Sequence, residues 1–254
     1  MSNWTGLWTI VKREMVRTFS IINQVIWPPV ITTLLYVLVF GYGIGSKITN
    51  VKGLSYAEFL IPGLIMLQVI DQTYGESSSS FFQGRFMNSI QELLIAPLSA
   101  YEIVTGYILS GIARAMFIAV IITVIGIVFV HTGPINYALY ALVIVLVAIL
   151  FSSLGLVFGM MAEKFDHIAM LTTFAITPLV FVGGVFNPKS FLPPVLQQIS
   201  MFNPMFHMID AFRYSYSARG DAPLALSLSV VAILATLATA LALTMTARGY
   251  KLRA

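Results

Sequence analysis

The chain of 254 residues is 58% hydrophobic and only 9% charged, with a net charge of +4. An ordinary soluble domain carries about a quarter charged residues, so this composition excludes that class and favours a polytopic membrane protein. The basic residues collect near the two ends, which indicates membrane orientation and not nucleic-acid binding. The chain has no cysteine, so disulfides and thiolate metal sites are excluded.

The first part of the chain, residues 4–19, has an amphipathic helical pattern. Trp4, Trp8 and Phe19 lie on one face, with Lys12 and Arg17 on or beside the other. Aromatic residues on an apolar face with cations opposite predict a helix that lies in the plane of the lipid headgroups. An ordinary solvated leader is the alternative. The charges also occupy the place of an apolar h-region, which argues against a cleavable signal peptide.

Six apolar segments follow, each of about twenty residues, the length that crosses about 30 Å of hydrocarbon. The predicted fold is therefore an all-α polytopic membrane protein with six transmembrane helices. The predicted spans are residues 22–40, 57–80, 101–130, 137–161, 168–186 and 224–247. Between the last two spans, residues 187–223 contain short apolar pieces broken by proline, which predicts re-entrant or interfacial helices on the external side.

The second predicted span carries polar residues at helical spacing: Gln68, Asp71, Gln72 and Glu76. An ionised carboxylate is costly in hydrocarbon, so we expect this side to face protein or a water-filled translocation path. A polar seam buried only for packing is the alternative. Arg114 lies near the middle of the antiparallel third span, and its similar depth predicts an intramembrane ion pair with Asp71.

An amphipathic segment, residues 83–100, connects the second and third spans. Its apolar residues recur at the helical period, with polar residues off that stripe. This pattern predicts a short helix that lies against a partner or against the membrane surface. The side of the membrane that holds this segment and both termini carries the larger number of lysines and arginines. The bias predicts a multi-pass protein of the cell inner (plasma) membrane with both termini in the cytoplasm.

Motifs for chemistry are missing from the sequence. It contains no G-x-x-x-x-G-K-[ST] loop, no nucleophile with a neighbouring base and no cluster at metal-ligand spacing. No catalytic, cofactor-binding or metal site is therefore predicted on this chain, and it is not expected to be an enzyme.

Three local patterns resemble the ABC-2 type permeases, the membrane subunits of ATP-binding-cassette exporters. The most specific is N-P-M-F-H-M-I-D-A-F-R, residues 203–213, which is similar to the family signature P-[apolar]-x-[HRSY]-x5-[RQ] through Pro204, His207 and Arg213. The second is P-L-V-F-V-G-G-V-F, residues 178–186, together with F-L-I-P-G-L-I-M, residues 59–66. The third is R-F-x-x-S-I-Q-E-L-L-I-A-P-L, residues 85–98, between the second and third spans. The resemblance covers the whole chain, including its length and the order of its six spans.

This resemblance implies partners. It implies a homodimer in membrane lipid, bound to two copies of a separate ATPase that holds ATP and Mg, and no nucleic acid. Residues 83–100 would then be a coupling helix that docks in a groove of the ATPase. A membrane-surface helix without a partner is the alternative. The docking residues implied are Arg85, Phe86, Glu92, Leu93, Leu94 and Pro97.

The function that the resemblance implies is outward transport driven by ATP hydrolysis on the partner. The apolar spans favour an amphiphilic substrate such as a drug or lipid, and export of polysaccharide or lipid-linked glycan is the alternative. A proton-coupled secondary transporter is a second alternative, because Asp71 and Arg114 are the kind of residues that a proton relay uses. It predicts transport by this chain alone, driven by a pH gradient.

Overall fold

The structure, a computed structural model, describes residues 4–45, 51, 53–87 and 96–251. Within these residues the chain is helical, apart from turns, bends and one isolated bridge between Val51 and Leu54. The predicted all-α class is therefore confirmed.

In the first half of the chain the described residues form five helices. They are α1 (Trp4–Ser20), α2 (Ile22–Tyr36), which continues as the π-helical turn Val37–Ile44, α3 (Tyr56–Phe86), α4 (Ala100–Ile125), which continues as the π-helical turn Gly126–Val130, and α5 (Tyr137–Met161). Capping boxes fix the starts of α3 and α4. Ser55 and Glu58 cap α3, and Ser99 and Glu102 cap α4 in the same way.

The second half forms shorter helices and one long final helix. They are α6 (Phe165–Leu171), the π-helical turn Thr172–Ile176, α7 (Thr177–Val182), the 3-10 turn Lys189–Phe191, α8 (Pro194–Phe202), α9 (Pro204–Ser217) and α10 (Leu224–Ala247). The region predicted to be re-entrant thus contains α8 and α9. Most side chains of α9 are buried, because α9 packs against α3, α5 and α10.

In the part of the chain that the structure describes, five helical stretches are long and apolar enough to cross a membrane: Ile22–Gly43, Ala100–Val130, Tyr137–Met161, Phe165–Val182 and Leu224–Ala247. They coincide broadly with five of the six predicted spans. The remaining predicted span is part of α3, which has 31 residues and is not among the five. Its glutamines, Asp71 and Glu76 reduce its hydropathy although most of its other side chains lie in the core.

The centre of the bundle is the contact between α3 and α5. Gly155 and Gly159 on α5 permit it, because a Cβ at Gly155 would lie 2.9 Å from the Tyr74 carbonyl oxygen and 3.0 Å from the Ser78 nitrogen. A Cβ at Gly159 would lie 2.8 Å from the Ser78 carbonyl oxygen. The backbones of the two helices therefore approach as closely as small residues allow. This small-residue pattern serves a contact within the chain.

Gly155→Ala is expected to lower the free energy of unfolding by about 1–3 kcal/mol, the usual cost of an extra methyl group in a packed core. The matched control is Gly75→Ala on α3, where nothing lies within 4 Å of the added methyl group. Because alanine favours helix, the control should keep or raise the thermal midpoint. Thermal unfolding of both purified variants in detergent measures the difference, and equal midpoints would contradict the close α3–α5 approach.

Candidate functional site

A buried carboxylate joins the first helix to the bundle. The side chain of Glu14 on α1 is 1% exposed, and its Oε2 accepts a hydrogen bond of 2.7 Å from the Ser80 hydroxyl on α3. Oε1 accepts one of 3.2 Å from the Arg13 guanidinium. On α4, Nη1 of Arg114 lies 3.7 Å from Glu14 Oε2, and the side chain of Arg114 is 2% exposed. Glu14 therefore connects three helices.

A second carboxylate extends this network. Arg17 Nη2 donates to Glu76 Oε2 on α3 at 2.9 Å, while Arg17 Nε lies 3.5 Å from Glu14 Oε2. Arg13 also donates to the Tyr107 hydroxyl on α4 at 2.9 Å. We call this network the Glu14 cluster: Arg13, Glu14, Arg17, Glu76, Ser80, Tyr107 and Arg114. It holds α1 against α3 and α4.

The predicted ion pair between Asp71 and Arg114 is wrong. Arg114 pairs with Glu14, and its Nη1 also donates to the Thr18 hydroxyl at 3.3 Å. The prediction placed α1 in the headgroup plane, so no residue of α1 was considered as a partner inside the bundle. One signal for Glu14 was in the sequence, since Ile10, Glu14 and Thr18 recur every four residues and share one face of a helix. That face is buried in the structure.

The opposite side of α1 is exposed and aromatic. Trp4 is 75% exposed, Trp8 67% and Phe19 57%. These residues belong to the apolar face that the sequence predicts for contact with lipid. The helix thus presents an aromatic surface outward, while its buried face carries the carboxylate that meets the arginines.

The polar residues of α3 lie along one side of the helix, at spacings of three or four residues. Asp71 is exposed, Gln68 keeps 7% of its surface and the others are half-buried. We call this surface the α3 polar face: Gln68, Asp71, Gln72, Gly75, Glu76 and Ser79. The described residues of the chain leave it partly uncovered, whereas the opposite side of α3 is packed by α4 and α5.

Asp71 lies at the midpoint of α3, which begins at Tyr56 and ends at Phe86. It makes no hydrogen bond or ion pair with the residues that the structure describes. In a helix that crosses a membrane, an ionised carboxylate at this depth costs about 2.5–3.5 kcal/mol when it faces lipid. In such a helix, contact of the α3 polar face with water or protein is favoured over contact with lipid.

Arg85 fixes the end of α3 against the end of α5. Its Nη1 donates to the carbonyl oxygens of Gly159, Met160 and Ala162 at 3.1, 2.6 and 3.2 Å. These carbonyls have no partner within α5 because they belong to its last turn, so a cation there satisfies them. Nearby, Phe82 and Phe86 contact the ring of Phe165 at the start of α6.

In the structure, the first part of the predicted coupling helix belongs to α3. Gln83–Phe86 is the last turn of α3, so the predicted start at residue 83 is wrong, and Pro97 lies in a bend before the Ser99 cap of α4. Residue 83 belongs to α3 because the helix continues without a break as far as Phe86. The central part, including Glu92, Leu93 and Leu94, lies outside the described residues. At its two ends, Phe86 is 71% exposed and Pro97 is also exposed.

The three signature residues hold α9 in place. Pro204 is the first residue of α9, behind the cap in which Asn203 Oδ1 accepts from the Met205 N–H at 3.0 Å. The ring nitrogens of His207 bond to the Ser227 hydroxyl on α10 at 3.1 Å and the Met201 carbonyl on α8 at 2.9 Å. The signature therefore joins three helices at this end of the bundle.

Arg213, the last signature residue, reaches α3. It donates to the Gly184 carbonyl at 2.8 Å, and its guanidinium carbon lies 3.8 Å from the centre of the Phe59 ring, a cation–π contact. Asp210 instead accepts the backbone N–H groups of Asp221 and Ala222 at 2.7 and 3.1 Å. Within the described residues Asp210 and Arg213 form no ion pair with each other. Burial raises the pKa of Asp210, although the two backbone N–H groups act in the opposite direction.

Within the described residues, no group of three or more His, Cys, Asp or Glu side chains is placed to hold a metal ion. The polar groups that the structure brings together are the Glu14 cluster and the α3 polar face, which share Glu76. The long apolar helices that carry these groups define a multi-pass membrane protein.

Comparison with known proteins identifies the family. The family model described as ABC-2 type transporter matches residues 5–216, which is more than half of the chain. The chain therefore belongs to the ABC-2 type transporter family, and the resemblance found in the sequence is confirmed. Membership makes it a transport permease, the membrane component of an ABC transporter, and implies a partner ATP-binding subunit.

Individual relatives cover almost the same length. The chain is 41% identical over 230 residues to the inner membrane transport permease YadH of Escherichia coli (strain K12), covering 91% of this chain and 90% of the relative. It is 28% identical over 237 residues to nodulation protein J of Rhizobium leguminosarum bv. viciae, covering 91% and 88%. Nodulation protein J of Rhizobium meliloti (strain 1021) is 27% identical over 217 residues, covering 83% and 80%.

Glu14→Ala is expected to lower the free energy of unfolding by about 3–5 kcal/mol, because Arg114 would remain buried without its anion. The control is Glu163→Ala, which removes an exposed pair with Lys251 and should leave the free energy of unfolding almost unchanged. Both values come from unfolding of the purified proteins in detergent. Equal losses for the two variants would contradict the role of the Glu14 cluster in holding α1.

Proposed function

We propose that this chain is the permease subunit of an ABC exporter that moves an amphiphilic substrate outward along the α3 polar face. The observation that carries the proposal is the partly uncovered polar face in the middle of a long, otherwise buried helix. ATP and Mg would be bound by the partner subunit. The relative named as an inner membrane permease supports the same location for this protein.

In the proposed topology α3 is the second of six spans, and both termini lie in the cytoplasm. With 31 residues, α3 is about 46 Å long at about 1.5 Å per residue, more than the hydrocarbon thickness of about 30 Å. Polar side chains are tolerated in such a helix where protein or water covers them. The Arg85 end of α3 would then face the cytoplasm, together with α1 and the end of α5.

A second copy of the chain would complete the path. The α3 polar face has no sufficient cover within the described residues, and α2 beside it exposes large apolar residues such as Trp27, Ile31 and Leu35. Two copies facing each other would enclose a polar path between two α3 helices, with apolar flanks for the hydrophobic part of an amphiphile. The proposed assembly is a homodimer of permeases with two ATPase subunits.

The proposed link to the ATPase has two parts. The segment between α3 and α4 begins at exposed Phe86 and ends near exposed Pro97, and Arg85 anchors its first end to α5. An apolar helix docked in a groove of the partner is a common mode of recognition. The second part is α1, which would pass movement at the cytoplasmic surface to α3 through the contacts of Glu14 and Arg17.

Vesicles that contain the permease and its ATP-binding partner are expected to move Hoechst 33342, an amphiphilic dye, only when ATP is supplied. Fluorescence of the dye measures this movement. Omission of the partner, or a non-hydrolysable ATP analogue, should abolish it. Transport by the permease alone under a pH gradient would contradict the proposal and support a secondary transporter. Movement of a fluorescent dextran in place of the dye would support glycan export.

The double variant Leu93→Asp, Leu94→Asp is expected to reduce capture of the ATP-binding partner at least about tenfold, because charges would replace apolar docking residues. Pull-down from detergent-solubilised membranes measures the association. The control is Lys164→Asp, which changes charge on the exposed loop between α5 and α6. Undiminished capture by the double variant would contradict docking at this segment and leave a membrane-surface helix as the explanation.

A further inference from the structure

The charge of Asp71 differs from every other charge on α3 and α4 because it has no partner among the described residues. Each of the others is engaged: Glu58 and Glu102 in capping boxes, Glu76 with Arg17, Arg85 with three carbonyls, and Arg114 with Glu14. Five charges on these two helices are thus paired or take part in caps, whereas the Asp71 carboxylate at the midpoint of α3 is exposed.

The surroundings of Asp71 leave room for a ligand. Gly75, one turn further along α3, has no atom within 4 Å of where its Cβ would stand. Half-buried Gln72 lies beside Asp71 on the α3 polar face, whereas Gln68 is almost fully buried. The next carboxylate, Glu76, is already neutralised by Arg17 at 2.9 Å. The negative charge available on the α3 polar face is therefore that of Asp71.

A cation is the ligand that this arrangement favours. A carboxylate attracts a positive charge strongly where water is scarce, and it repels an anion by the same amount. A neutral glycan would form only hydrogen bonds at this site, and these would not compensate the negative charge of Asp71. Apolar side chains are exposed on the elements that contact α3, and these suit the hydrophobic part of the same molecule: Ile31, Leu35 and Phe174.

We propose that Asp71 binds the positive group of the transported molecule, so that the substrate is an amphiphilic cation. This role rests on the proposed export function, because it assigns the substrate class of the same path. The Asp71 carboxylate forms an ion pair with the cationic group, and the ligand body lies along the apolar flanks. A second copy that supplied a cation to Asp71 would fill the site and prevent this binding.

The test is binding of tetraphenylphosphonium to the purified permease in an uncharged, lipid-free detergent, without ATP or the ATPase. Tetraphenylborate has nearly the same shape and the opposite charge, so it reports the preference for sign. The permease is expected to bind the cation saturably and at least about tenfold more tightly than the anion. Absence of saturable cation binding, or preference for the anion, would overturn the proposal.

Variants at the site separate charge from packing. Asp71→Asn should weaken cation binding at least about tenfold, while Asp71→Glu should keep the preference for the cation. Asp166→Asn, the same change at an exposed position of α6, should bind as the wild type does. Because Asp71 has no partner among the described residues, its variants should keep the wild-type thermal midpoint. Wild-type affinity in Asp71→Asn would overturn the site.

The experiments distinguish failure of the cation site from failure of the export function. If cation binding is unchanged in Asp71→Asn while Hoechst 33342 still moves with ATP, the cation site is wrong and the export function stands. If Asp71→Asn loses cation binding but the wild-type complex shows no ATP-dependent transport, the site stands and the export function is wrong.

Discussion

The burial of Glu14 among arginines is the interaction on which the arrangement of the polar interior depends. A carboxylate that is 1% exposed needs cations, and it receives them from its own helix and from Arg114 on α4. This requirement holds α1 against the bundle at a fixed register. Glu14 also pairs with Arg114, the cation that the sequence places at a membrane depth similar to that of Asp71. With Arg114 paired to α1, Asp71 has no partner among the described residues.

The two sides of α3 differ: one is in close backbone contact with α5, and the other exposes polar residues. One side of this helix accepts the glycines of α5 so closely that a methyl group would overlap its backbone. The opposite side carries the α3 polar face, which the described residues do not cover. A helix held rigidly on one side can present charged groups on the other at a defined depth, and such rigid support is what a binding surface requires.

At both ends of the bundle, polar side chains form hydrogen bonds that hold helix termini in place. At one end Arg85 satisfies the last carbonyls of α5, and at the other Asn203 and His207 join α9 to its neighbours. The signature residues that mark the family in sequence therefore hold secondary structure together.

The sequence by itself determined the class, the family and most of the long helices, because apolar runs and signature spacing are local properties. It also located the polar side of α3, since residues three and four apart share a helix face. The partner of Arg114 could not be predicted, because Glu14 comes from a distant helix and only packing brings the two within 3.7 Å. The end of α3 was also misplaced: the helix continues to Phe86, past its apolar segment, and Arg85 in its last turn contacts the end of α5. Which charges are paired, and hence that Asp71 is left without a partner among the described residues, was decided by tertiary structure alone.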